Sequence, residues 1–181
     1  MRAGRARIDP QKSLVGFVVG EIRYAIDIGA VLQIVQPLEL APLPHLPEGI
    51  VGVADYRGDV VPVVDMRARF GLPMVPATRR TKWIVAAVGD QAAALVVDGV
   101  TDVFGTRGAE LRPAPGLGGD DRRGILGVTT QDEQLTFVLD VDRLRPMIES
   151  VTSGLRPSAA VSRGMAPRHS LVPASPRGHG T

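Results

Sequence analysis

The chain has 181 residues, a net charge of +2, 44% hydrophobic but only 4% aromatic residues, and no cysteine. That is enough for one ordinary domain or two small subdomains, with a core built mainly from Val, Ile, Leu and Ala, a composition that favours strands. The missing cysteines exclude a thiolate nucleophile, a zinc ribbon and a disulfide frame. No apolar run approaches the roughly 18 residues that cross a bilayer, and "MRAGRARIDPQKS" lacks the apolar centre of a signal peptide, so a cytoplasmic protein is expected.

Charge is unevenly placed. Residues 1–12 hold Arg2, Arg5, Arg7 and Lys12 against Asp9, and residues 154–181 hold Arg156, Arg163, Arg168 and Arg177 against no acid. Removing these eight basic residues and one acidic residue from totals of 21 and 19 leaves an acidic body with basic ends. Residues 1–13 read as a basic flexible N-terminus. The stretch 151–181, rich in Pro, Ser, Gly and Arg without apolar periodicity, reads as a disordered tail.

Along the chain, "LVGFVVG", a Gly20-Glu21 turn and "IRYAIDI" predict a hairpin, followed by a short amphipathic connection carrying Val31, Ile34 and Val35. "QPLELAPLPHLPEG" holds four prolines and reads as a loop. Next come "GIVGV", a turn at Arg57-Gly58, and the strand "DVVPVVDM", which Pro62 demotes to an edge or a bulge.

The order then repeats. Gly20, Ile28, Val31, Ile34 and Val35 correspond to Gly89, Val97, Val100, Val103 and Phe104 at a constant offset. "GIVGV" is echoed by "GILGV" at 124–128, and "VVPVVDMRARF" by "LTFVLDVDRLR", with Asp65 answering Asp140. The expectation is all-β: two small antiparallel barrels spanning about 14–72 and 82–145, packed together and joined by short helical connections. The groove between them is a natural place for a partner.

Catalytic chemistry is hard to find. The histidines are His45 in the Pro-rich loop and His169 and His179 in the tail, none with a metal-ligand neighbour at useful spacing. Asp27, Asp65, Asp98 and Asp140 each end an apolar strand, where a carboxylate caps the following turn. "GLGGD" at 116–120 precedes no helix and reads as a loop rather than a phosphate cradle. A nucleic-acid-binding barrel needs aromatics on a basic face, whereas the single Trp83 and two tyrosines lie in the acidic body.

The stretch "GIVGVADYRGDVVPVVDMR" resembles the CheW family segment Gly-Val-x-Asn-Leu-Arg-Gly followed by Val-Pro-Val-Val-Asp-Leu-Arg. "ALVVDGVTDVF" followed by "ELRPAP" is similar to a second signature of that family. The resemblance runs from about Leu14 to about Leu144. It implies a non-catalytic chemotaxis adaptor of two SH3-like barrels, without cofactor or metal. Such an adaptor links the cytoplasmic tips of chemoreceptors to the regulatory domain of a CheA-type histidine kinase, at receptor arrays beneath the inner membrane, with no nucleic acid and no membrane insertion.

By that resemblance the receptor-contact positions are Val31, Ile34, Arg57, Trp83, Val100 and Val103, and the turn and motif positions are Gly52, Asp55, Gly58, Asp65, Asp98 and Gly99. The forked guanidinium of Arg57 suits carbonyls or a carboxylate near a helical hairpin tip. The alternative is that Arg57 only satisfies its own turn with Asp55 or Asp59, that the four aliphatic residues are core, and that Trp83 is a core plug. Asp55 and Tyr56 depart from the family's Asn and Leu. A nucleic-acid-binding protein using its basic ends is the runner-up function, and an enzyme the third.

Overall fold

The computed structural model describes residues 13–105, 111–114 and 123–155. The basic N-terminus, the "GLGGD" loop, and the tail beyond Leu155 with His169 and His179 lie outside the described residues.

Ten strands, two short α-helices and two 3-10 turns succeed one another along the described chain. They are β1 Ser13–Val19, β2 Ile22–Asp27, a 3-10 turn Ile28–Ala30, β3 Val31–Val35, β4 Ile50–Tyr56, β5 Asp59–Asp65 and α1 Met66–Arg69. The second half supplies β6 Lys82–Val88, β7 Gln91–Val97, β8 Gly99–Gly105, β9 Ile125–Gln131, β10 Gln134–Leu139, a 3-10 turn Val141–Leu144 and α2 Arg145–Leu155. The repeat is visible in these bounds: β1 and β6, and β4 and β9, have the same length at the offsets found in the sequence. Val31, Ile34 and Val35 form strand β3, not an amphipathic connection. β-Branched residues at successive positions favour extended backbone over a helical turn.

The strands make two five-stranded sheets, ordered β8-β1-β2-β10-β9 and β3-β6-β7-β5-β4. This corrects the chain limits expected for the two subdomains. Each sheet takes the opening hairpin of one half and three strands of the other, so neither 14–72 nor 82–145 is a unit by itself. Repetition shows which strands are equivalent. It cannot show which copy pairs with which, because equivalent edges offer the same backbone groups and the same apolar faces.

Pairing is antiparallel except for β10 with β2 and β5 with β7, which run parallel. Neither sheet closes into a barrel through its backbone ladder among the described residues. Pro62 also sits differently from expectation. Strand β5 is internal, but its ladder to β7 starts at Val63, so the missing N–H at 62 falls where only β4 is alongside.

Alternation along the strands creates three apolar clusters. The largest is shared by both sheets: Val15, Phe17 and Ile26 from one meet Ile84, Leu95 and Val64 from the other, with Met66, Leu144 and Ile148 closing its ends. Two smaller clusters occupy the opposite faces, one around Val63, Trp83 and Val85, the other around Leu14, Ala25 and Val138. Tyr24 gathers three of the four phenylalanines, with ring centroids 4.5 Å from Phe70 and 5.8 Å from Phe17 and Phe137. Burial raises its phenol pKa above the ordinary value, against a lowering by Arg123.

Helix α2 buries Ile148 and Val151. The folded body therefore includes residues 151–155, which were expected to belong to the tail. At the other end Ser13 already belongs to β1.

Candidate functional site

Strands β4 and β5 are joined by a two-residue turn, Arg57-Gly58, with φ of 57° and 88°. Two successive positive φ values match the right-handed twist of a tight hairpin. Gly58 adopts this without penalty, and a Cβ there would meet nothing within 4 Å, so its role is conformational. For Arg57 the same region is unfavourable by about 1 kcal/mol.

Three hydrogen bonds and one ring contact hold the tip. Asp55 Oδ1 accepts a hydrogen bond from the Gly58 N–H at 3.0 Å, a bond that the family's Asn could equally accept. The Tyr56 hydroxyl donates to Gln33 Oε1 at 2.9 Å, and Arg57 Nη2 donates to the same oxygen at 2.8 Å. The Arg57 guanidinium carbon stands 5.3 Å from the centroid of the Tyr56 ring, within cation–π range.

Arg57 therefore does not pair with Asp55 or Asp59. Its partner Gln33 is neutral, so the positive charge is oriented without being neutralised. Gln33 lies on β3 and the turn leads out of β4, and these are opposite edges of one sheet. The side-chain bridge curls that sheet round on itself.

Register places the expected aliphatic contacts. Val31 pairs with Ala86 and Ile34 with Ile84, both in the shared core, so the two residues face that side of β3. In the equivalent positions of β8, Val100 pairs with Phe17 and Val103 with Val15, again core residues. Val31 and Val100 are half-buried against the core, whereas Ile34 is 39% and Val103 58% exposed. Each edge strand thus carries one anchored and one protruding apolar side chain on the core-facing side. Gln33 pairs with Val85 of the smaller cluster, so Arg57 meets β3 on its other face.

Trp83 is only 4% exposed, packed with Ala54, Val63 and Val85. Its indole is core, which corrects its assignment as a surface contact and matches the plug alternative.

Of the motif residues, Gly52 has a steric reason. A Cβ there would lie 2.5 Å from the Ala41 carbonyl oxygen, where the Pro-rich segment bridges to β4. Gly127 repeats this against Arg112 at 2.6 Å. Gly99 opens β8, and a Cβ there would make ordinary contacts only.

Asp27, Asp65 and Asp140 cap their following turns through Gly29, Ala68 and Asp142 N–H groups. Asp98 behaves differently. It accepts from the distant Gly20 N–H at 2.6 Å and from Arg67 Nε at 2.8 Å. Desolvation pushes its carboxyl pKa up, but the bonds from Arg67 and Gly20 outweigh this and hold it below the ordinary value. Gly89, the counterpart of Gly20, donates instead to Asp142, whose pKa is lowered by that bond and by Arg145. Arg67 and Asp142 occupy equivalent positions, so charge is reversed while the turn glycine stays capped.

The same reversal marks the hairpin tips. Arg57-Gly58 corresponds to Asp132-Glu133, with φ of 47° and 64°, and Gln33 corresponds to Asp102. In the second copy Asp102 accepts from Arg23 at 3.0 Å, which also donates to Gln134 at 2.7 Å. One tip is cationic and the other acidic, so a partner can tell the two ends of a near-symmetric molecule apart.

Gln33 and Arg23 do not stand out in the sequence. Gln33 has one signal, as the polar residue between apolar Val31 and Ile34 whose counterpart is an aspartate. Among the described residues, no group of three or more His, Cys, Asp or Glu side chains could hold a metal ion, and no helix is long and apolar enough to cross a membrane.

Residues 13–149 match the model of the CheW-like domain. The chain is 29% identical over 144 residues to the chemotaxis protein CheW of Helicobacter pylori, spanning 78% of this chain and 87% of that protein. It is 31% identical over 139 residues to CheW of Rhizobium meliloti, spanning 76% and 90%. The scaffolding protein TtCheW from Thermoanaerobacter tengcongensis superposes with a TM-score of 0.65 at 27% identity, covering 72% of this chain and 89% of that one. A duplicated all-β fold, a guanidinium held up on a hairpin tip and these matches converge: the chain belongs to the CheW-like family of chemotaxis adaptor proteins.

Proposed function

We propose that this adaptor couples the cytoplasmic tip of a chemoreceptor to the regulatory domain of a CheA-type histidine kinase without catalysing a reaction, working beneath the inner membrane. The observation that carries this reading is the Arg57 turn. A cation in a left-handed conformation, aimed by Gln33 and backed by Tyr56 yet left uncompensated, is arranged for an outside acceptor. Ile34 and Val103, on the core-facing sides of their edge strands, supply apolar contact for a helical tip.

Asp55 turns its carboxylate into its own turn, so it does not cancel the arginine's charge. Tyr56 in place of leucine adds a hydroxyl that anchors Gln33, narrowing the orientations open to Arg57. This favours a receptor tip presenting carbonyls or a carboxylate.

The test is quantified binding of the protein and of Arg57→Ala to a chemoreceptor cytoplasmic fragment and, separately, to the kinase regulatory domain, with thermal unfolding alongside. A charge-assisted hydrogen bond contributes about 1.5–3 kcal/mol, so the variant is expected to bind receptor at least about tenfold more weakly. Its kinase binding is expected to hold, and the variant is expected to stay folded, losing only the contribution of the bond to Gln33, about 0.5–1.5 kcal/mol. Equal receptor affinity for both forms would remove Arg57 from the interface, and binding to neither partner would remove the coupling role.

A further inference from the structure

Beside the Arg57 tip lies a groove of about 780 Å³ that the receptor reading does not use. Leu32, Val60 and Leu155 contribute apolar walls, and Asp59 and Asp90 line it as well. Leu32 and Val60 are 54% and 55% exposed, large for aliphatic side chains in neighbouring positions. Asp59 and Asp90 have no hydrogen-bond or ion-pair partner for their side chains among the described residues. The groove shares Gly89 and Asp90 with a second depression of about 1110 Å³ that adds Asp140, Asp142 and Glu149.

The duplication reproduces the groove only in part. In the other copy the positions of Leu32 and Asp59 hold Thr101 and Gln134, whereas Val60 and Asp90 answer to Leu135 and Glu21, so one of the two apolar residues and one of the two acids are lost there. One wall is instead the last turn of α2, through Thr152 and Leu155. The chain therefore leaves the described structure from inside this groove. Its remaining residues, 156–181, carry Arg156, Arg163, Arg168 and Arg177, no acid, and apolar Val161, Met165, Leu171 and Val172.

We propose that residues 156–181 dock back into the groove of Leu32, Val60 and Leu155, with their arginines against Asp59 and Asp90, as an intramolecular cover beside the Arg57 tip. Charge sign and apolar content are complementary. Attachment at the groove wall gives the segment an effective concentration on the order of millimolar, so weak contacts suffice. The cover is an internal competitor for a partner approaching Arg57. That consequence rests on the adaptor reading, whereas the docking does not.

Two-dimensional amide NMR of the full chain, of a form ending at Leu155, and of the full chain with the four tail arginines changed to glutamine tests the docking. A synthetic 156–181 peptide is then titrated into the shortened form. The expected result is that shortening and the four-arginine variant both shift the amides of Leu32, Asp59, Val60 and Asp90. The peptide restores them with an affinity that falls steeply with salt, and at least tenfold in Asp59→Asn/Asp90→Asn. Identical body spectra in the full chain and the arginine variant would overturn the proposal, as would peptide shifts elsewhere. Groove shifts that grow with protein concentration would also overturn it, in favour of a second copy as occupant. Receptor affinity that rises on shortening supports the competition; if docking is seen and receptor affinity stays unchanged, only the competition fails.

Discussion

In the two equivalent turns Arg57 answers to Asp132 and Gly58 to Glu133; Arg57 and Glu133 both take positive φ, 57° and 64°, but of these two only Arg57 has side-chain contacts that repay the conformation. Replacing Glu133 by glycine is expected to raise stability by up to about 1 kcal/mol, read from the urea midpoint, because relief of left-handed strain exceeds the added entropy of the unfolded chain. Arg57→Gly is expected to gain less or nothing, since it also loses the bond to Gln33 and the stack on Tyr56. Tyr56→Phe keeps the ring and removes one hydrogen bond, and is expected to lower stability by about 0.5–1.5 kcal/mol. At this scale the sequence made Arg57 and Gly58 legible, since a charged residue and a glycine between two apolar runs mark an exposed turn. It left Gln33 unread, because contact between β3 and a turn more than twenty residues away depends on how the sheet curls.

Among elements, the end of α2 and the junction of β7 with β8 lend themselves to measurement. A chain ended after Ser150 loses Val151 from the core, whereas one ended after Leu155 keeps it. The shorter form is expected to be less stable by about 1.5–3 kcal/mol in chemical denaturation. At the β7–β8 junction, the folded-state pKa of Asp98 lies below the ordinary aspartate value, so its ionised form stabilises the fold. That stabilisation is complete above the unfolded-state pKa of about 4 and disappears as pH falls through the lower folded value. The protein is therefore expected to exceed Asp98→Asn in stability at about pH 6. The gap should narrow in high salt, because the carboxylate is partly exposed, and should close on acidification. The strands themselves were readable from alternation and the turns from glycine and aspartate. The last turn of α2 was not, since Val151-Thr152-Ser153-Gly154 has weak helix propensity and is held by burial against the body.

For the whole molecule, the exchange of strands between halves has a direct consequence. A fragment of residues 14–72 has strands that belong to two different sheets, so it is expected to show no cooperative thermal transition, whereas the described body unfolds as one unit. A cooperative transition in that fragment would mean that the halves can close on themselves. The sequence alone determined the strand content, the duplication, the lack of any thiol, and Arg57 as the residue to test. Each of these comes from local periodicity, residue inventory or self-similarity. Only the tertiary structure decided which copy of each strand pairs with which, that Trp83 is core while Ile34 and Val103 protrude, and that Gln33 rather than a neighbouring acid holds Arg57. Those outcomes turn on which of several chemically equivalent edges meet, and pairing across the fold is settled by the packing of both sheets on one shared core.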